Sequence, residues 1–125
     1  MKTKLEILTE TKNFYSEDVN RRAIEDGFCK YETDDGRHCA VGRCISPCNM
    51  KELNYKVKKI GTENGSLGFR SFMIDLMKEE YRVNDPTFWI ELQSFHDFHG
   101  NWNDNGLTEI GSDKYEELLG RYKYK

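Results

Sequence analysis

The stretch FCKYETDDGRHCAV, residues 28–41, decides the expected fold. Its first five residues alternate between apolar and polar, the pattern of a strand with one buried face. Asp35-Gly36 then supplies the positive φ that a tight hairpin turn requires. Residues 38–41 would form the returning strand. We therefore predict an antiparallel β-hairpin, with Cys29 and Cys39 near each other across it.

Helical patterns lie on both sides of this hairpin. Thr3 and Glu6 form a capping box at the start of a helix over residues 4–14. Asp85-Pro86 is a good start for another helix, because an acceptor precedes proline at the first helical position. Its expected buried face holds Phe88, Trp89, Leu92, Phe95 and His96. Further helices are predicted after Asn49, over 69–77 and over 108–121 (with Ile110 buried), and a weak strand over 55–57. The prediction is a single α+β domain, residues 1–125, with a small antiparallel sheet packed against about four α-helices.

Composition limits the classes of partner. The 125 residues carry 19 Lys+Arg against 22 Asp+Glu, a formal net charge of −3. Duplex-binding proteins are usually basic, because neutralising phosphates dominates their affinity. We therefore expect no duplex nucleic acid as a partner. No apolar run approaches the length of a membrane span, so no membrane partner is expected either, and self-association stays open.

The N-terminal residues bear on compartment. Glu6 lies where an export signal would be apolar. We accordingly expect a cytoplasmic protein whose four cysteines are thiols.

The cysteines allow two kinds of chemistry. Cys29, Cys39, Cys44 and Cys48 could bind zinc, although their C-x9-C-x4-C-x3-C spacing lacks the close ligand pair of most zinc sites. They could equally pack as small apolar side chains, and we predict no cofactor.

The alternative chemistry is a cysteine hydrolase. In it Cys39 would be the nucleophile, with His96 and Asp97 as base and orienting group. His96, Asp97 and His99 could also bind a metal, or simply hold the end of their helix.

Other residues suggest binding without catalysis. Arginines paired with aromatic side chains suit a small anionic ligand such as a nucleotide. The chain contains neither a phosphate-binding G-x-x-x-x-G-K loop nor a G-x-G-x-x-G fingerprint. The predicted binding set is Arg22, Tyr31, Arg43, His96, Asp97 and Trp102, with Arg43 as the anion contact and Trp102 as the stacking contact.

Two separated segments share a pattern with known proteins. The pattern reads C-x-Y at 29–31, G-x-x-C-A-V-G at 36–42 and L-Q-x-x-H-D at 92–97, followed by Trp102. It resembles a family of small bacteriophage and prophage proteins without an assigned activity, over about half of the chain. After Cys44, residues 46–49 replace a more apolar stretch with acidic residues in many of those proteins.

The resemblance implies a functional context. Small acidic phage proteins outside the virion often bind a host protein or sequester a host signal. We therefore expect a phage-encoded accessory protein, for counter-defence or host takeover, that binds a host immune protein or a small nucleotide signal. The hairpin and the helix ending at 96–97 would form its site. The alternatives are the cysteine-dependent hydrolase and a zinc-stabilised interaction domain.

Overall fold

Four α-helices and two short antiparallel strand pairs are seen in the computed structural model, which describes residues 1–25, 28–61 and 67–124. The helices are α1 (Lys4–Glu17), α2 (Met50–Ile60), α3 (Pro86–Asp97) and α4 (Glu109–Tyr122). The strands are β1 (Ile24–Glu25), β2 (Phe28–Cys29), β3 (Trp102–Asn103) and β4 (Gly106–Leu107), paired β1–β2 and β3–β4. Short 3₁₀ helices fill much of the rest. This architecture is the α+β class that the sequence predicts.

Three helices enclose the aromatic part of the core. α1 packs against α3 and α4, and these two also pack against each other. The core side chains are Ile7, Leu8 and Tyr15 of α1, Phe88, Trp89, Leu92 and Phe95 of α3, and Leu118 and Tyr122 of α4. The buried face predicted for α3 is thus confirmed, including His96, which is fully buried.

Ile110 is 61% exposed, so the prediction that it is buried is wrong. Gly111 takes the inward position of α4, where an added Cβ would lie 2.3 Å from the Asn101 carbonyl oxygen. Because successive residues are about 100° apart around a helix, Ile110 points away from that contact.

The predicted hairpin turn is present, but its strands are shorter than expected. Glu32 and His38 form an antiparallel bridge, and Gly36 has the positive φ of 86° that the turn requires. β2 pairs with β1 before the turn, not with residues after it. The return strand predicted over 38–41 ends at His38, because the Val41 amide donates to the Gln93 side chain instead of to a strand partner.

Two other segments differ from their predicted type. Residues 69–77 contain a 3₁₀ helix, Ser71–Leu76, closed by i→i+3 bonds such as Met73 N to Arg70 O. Residues 55–57 lie inside α2 and form no strand, because Leu53 and Val57 are both buried at helical spacing. In addition, α1 runs three residues past its predicted end, to Glu17.

No helix in the described ranges is long and apolar enough to cross a membrane.

Candidate functional site

The segments that contain residues 29–42 and 92–97 meet around one small cavity. Its volume is about 100 Å³, and its lining comes from β2, the hairpin, residues 67–68 and α3. The lining residues are Cys29, Lys30, Tyr31, Cys39, Leu67, Gly68, Gln93 and Asp97. Cys29 and Cys39 therefore share a cavity, and the hairpin does lie against the end of α3.

A hydrogen-bond network joins the hairpin to α3 at this cavity. Gln93 Oε1 accepts from the Val41 amide at 3.0 Å, and Gln93 Nε2 donates to Asp97 Oδ1 at 2.8 Å. His96 Nδ1 donates to the same carboxylate oxygen at 2.6 Å. A carboxylate can accept several such bonds and orients both donors. Gln93 and Asp97 thus tie two distant parts of the chain together.

His96 is an uncharged core residue at neutral pH. It is fully buried, and its ring packs edge-on against Tyr15 with 4.7 Å between centroids. Burial lowers the pKa of His96 below its ordinary value, although the hydrogen bond that His96 donates to Asp97 opposes this effect. Its Nε2 has no hydrogen-bond partner among the described residues.

Cys39 has the environment of a structural thiol. It is fully buried, and its Sγ accepts from the Gly42 amide at 3.2 Å. Burial raises the pKa of Cys39 well above its ordinary value, whereas a nucleophilic cysteine needs a lowered pKa. Burial, followed by the charge of Asp97, likewise raises the pKa of Cys29 to about 12.

The hydrolase alternative also requires a base in contact with the thiol. No hydrogen bond joins Cys39 to His96 within the described part of the chain, and His96 is bonded to Asp97 instead. The geometry therefore does not assemble the predicted Cys39–His96–Asp97 arrangement.

The zinc alternative lacks an assembled ligand set. All four cysteines are free: Cys39 and Cys44 are buried, Cys29 is half-buried and Cys48 is exposed. In residues 1–25, 28–61 and 67–124, no group of three or more His, Cys, Asp or Glu side chains is arranged to hold a metal ion. The set of His96, Asp97 and His99 fails the same test.

Arg43 does not line the cavity, contrary to its predicted role as the anion contact there. Its guanidinium lies between the rings of Phe14 and Tyr81, 5.6 Å from each centroid. It also donates to Glu10 Oε1 at 3.3 Å, so its charge is already paired by a carboxylate. Arg43 therefore does not supply a positive charge to the cavity between the hairpin and α3.

Arg22 and Trp102 hold the C-terminal end of α3, and both also line a surface cleft of about 300 Å³ together with Arg37. Arg22 donates to the carbonyls of His96 at 2.9 Å and Asp97 at 3.1 Å. The Trp102 indole donates to the carbonyls of Phe95 and His96 and is buried. These donors satisfy carbonyls that a helix end leaves without partners.

Tyr31 is the remaining predicted contact, and it does line the cavity. Its side chain is only 6% exposed, and its hydroxyl donates to the Leu67 carbonyl at 2.7 Å. It serves mainly as a packing residue between the hairpin and residues 67–68.

A larger cleft lies beside this cavity, between the hairpin turn and α2. Its volume is about 330 Å³. The lining residues are Lys30, Tyr31, Glu32, Thr33, Asp34, Asn54, Val57 and Lys58. Asn54 Nδ2 donates to Glu32 Oε1 at 3.1 Å across it, and His38 Nε2 lies 3.0 Å from Glu32 Oε2.

No sequence pattern considered in the prediction of the site pointed to this cleft. The helical spacing of Asn54 and Lys58, four residues apart, would have placed both on one face of α2 if the segment had been predicted as a helix.

Comparisons with known proteins found no match to this chain. No family model matches the chain, and neither a curated protein nor a solved structure is significantly similar to it.

Proposed function

We propose that this chain is a phage-encoded accessory protein that acts in the bacterial cytoplasm by binding a host protein. The observation that most supports this proposal is that the candidate catalytic and binding side chains make their contacts within the fold. Gln93, His96 and Asp97 are engaged with one another and with the hairpin backbone. Cys39 is fully buried. The pattern that resembles phage proteins therefore serves to build a scaffold.

Binding is favoured over hydrolysis by the state of the candidate nucleophile. A thiol attacks as the thiolate, and its pKa must be lowered to act near neutral pH. The pKa of Cys39 is raised by burial, and no base is bonded to it among the described residues.

A protein partner is favoured over a small nucleotide by the size and charge of the two spaces beside the hairpin. The cavity of about 100 Å³ is smaller than the roughly 300 Å³ at which ligand pockets usually begin. The larger cleft has Glu32 and Asp34 as well as Lys30 and Lys58 in its lining, so it offers phosphate no net positive charge. Arg43 and Trp102, the predicted nucleotide contacts, are engaged elsewhere in the fold.

The test is recovery of a defined complex from phage-infected bacteria. The tagged chain and a Cys39→Ala variant would be purified and examined by native mass spectrometry. We expect one host protein at fixed stoichiometry with both chains. A bare chain in both preparations would contradict the proposal, as would hydrolysis of a p-nitrophenyl ester that Cys39→Ala abolishes.

A further inference from the structure

α2 concentrates positive charge on an acidic molecule. Its eleven residues include four lysines and one glutamate, a net charge of +3. The whole chain has a net charge of −3, so the residues outside α2 carry −6. Such segregation gives the molecule one basic helix on an otherwise acidic surface, and separated charge of this kind orients an approaching partner.

The exposed side of α2 combines these lysines with an aromatic side chain. Lys51, Tyr55, Lys58 and Lys59 occupy positions i, i+4, i+7 and i+8, which lie on one face of a helix. Tyr55 is 61% exposed. The Lys59 ammonium lies 5.5 Å from the Tyr55 ring centroid and 3.4 Å from its hydroxyl. We call these four residues the α2 face.

The lysines of the α2 face lack the carboxylate partners that some other lysines have. Lys2 pairs with Glu10 and Lys4 with Asp85, each at 2.7 Å. In contrast, Lys51, Lys58 and Lys59 form no ion pair within the described ranges of the chain. Three ammonium groups are thus available to carboxylates from another molecule.

The α2 face borders a concave surface. Lys58 lies on the face and also lines the cleft between α2 and the hairpin turn, together with Asn54. A partner segment lying along α2 could therefore place one side chain into the cleft while its carboxylates contact the lysines.

We infer that the α2 face is the docking surface for an acidic segment of the host protein. This inference rests on the proposed function and names the chemistry of its partner. Carboxylates would pair with Lys51, Lys58 and Lys59, and an apolar side chain would pack on Tyr55. Tyrosine is enriched at the energetic centres of protein interfaces, whereas charged pairs chiefly give speed and specificity of association.

A protein partner fits these observations better than a nucleic acid. The basic surface spans only two turns of one helix, contains no arginine, and is bordered by Glu52. The remainder of the molecule is acidic and would repel a long polyphosphate.

The direct test is a titration followed by NMR of the backbone amides. Short polyglutamate and, separately, a DNA duplex of matched charge would be added to the full chain at low salt. We expect polyglutamate to shift the amides of α2. Its affinity should fall by at least about tenfold in K51E/K58E/K59E, because three attractive contacts become repulsive. Tyr55→Ala should give a smaller loss without any change of charge.

The matched control is K12E/K114E/K123E, which changes the net charge equally outside α2. We expect it to alter the affinity by less than about twofold. Equal losses in the two triple variants would overturn the inference, since they would show attraction to net charge alone. A duplex that binds α2 more tightly than polyglutamate would overturn it in favour of nucleic acid, and absence of any shift would also overturn it.

The complex from infected cells separates this inference from the function on which it rests. If K51E/K58E/K59E still recovers the host protein, the α2 face is wrong and the proposed function stands. If neither the wild type nor any variant recovers a partner, the proposed function fails and the inference fails with it.

Discussion

Gly42 follows the predicted return strand and lies against the backbone of the hairpin. An added Cβ would be 2.0 Å from the Tyr31 carbonyl oxygen, a distance that backbone movement must relieve. We expect Gly42→Ala to lower the free energy of unfolding by about 3 kcal/mol or more, in the range of severe packing and strain effects. Urea denaturation followed by circular dichroism would measure it.

Gly120 provides the matched control for that substitution. It lies in α4, and nothing is within 4 Å of its added Cβ. Gly120→Ala should raise stability by roughly 0.5–1 kcal/mol, because alanine is the better helix former. Equal effects of the two substitutions would show that the contact between Gly42 and Tyr31 is not a constraint.

His96 should make stability depend on pH. Burial lowers the pKa of His96 in the folded state below its ordinary value of 6.5, so the unfolded chain takes up the proton first. The free energy of unfolding should therefore fall as the pH drops below 6.5, by up to about 1.4 kcal/mol per pH unit. Above that pH the contribution of neutral His96 is fully present.

Urea denaturation between pH 6.5 and about pH 5.5 would measure this slope. His96→Asn should flatten it, whereas His99→Asn, which changes an exposed histidine, should leave it as in the wild type. A wild-type slope near zero over this interval would contradict the buried, neutral state assigned to His96.

The sequence predicted some of these residue environments and could not predict others. The helical spacing from Phe88 placed His96 on the buried face of α3, and this is confirmed. The bond from the Val41 amide to Gln93 joins residues 52 positions apart and has no local signal. For the same reason the sequence did not predict the position of Arg43, because its contact with Glu10 depends on how α1 packs.

At the scale of elements, the C-terminal end of α3 depends on Arg22. Its guanidinium donates to the carbonyls of His96 and Asp97 and lies 5.8 Å from the Trp102 ring centroid. Arg22→Met keeps an unbranched apolar side chain in place of the aliphatic part of arginine but removes both bonds. We expect a loss of about 2 kcal/mol in the free energy of unfolding, because hydrogen bonds from charged donors are among the stronger ones.

Arg70→Met is the comparison for Arg22→Met. Arg70 also donates to carbonyls, those of Gly68 and Phe69, but it is exposed and lies close to them in sequence. It should change stability by no more than about 0.5 kcal/mol. Equal losses in the two variants would contradict the role given to Arg22.

Elements with strong local signals were predicted correctly in type. The capping box of Thr3 and Glu6 and the Asp85-Pro86 start both mark observed helices. The segment 69–77 has apolar residues at helical spacing, but its 3₁₀ helix buries Met73, Ile74 and Leu76 and leaves Phe72 only partly buried. This 3₁₀ helix packs against α2, a contact that periodicity does not report.

At the scale of the whole molecule, charge is distributed unevenly, and this should control association. The basic α2 face on an otherwise acidic chain predicts that the association rate with the host protein falls as ionic strength rises. Surface plasmon resonance at several salt concentrations would measure it. A rate independent of salt would indicate that the lysines of α2 do not steer the encounter.

We propose that Cys39, Gln93, His96 and Asp97 are engaged within the fold and that the chain binds its partner through the α2 face. The most direct measurement compares two variants, Cys39→Ala and K51E/K58E/K59E, for recovery of the host complex by native mass spectrometry. We expect Cys39→Ala to retain the complex and the α2 variant, still folded by circular dichroism, to lose it. Loss of the complex in Cys39→Ala with retention in the α2 variant would contradict the account.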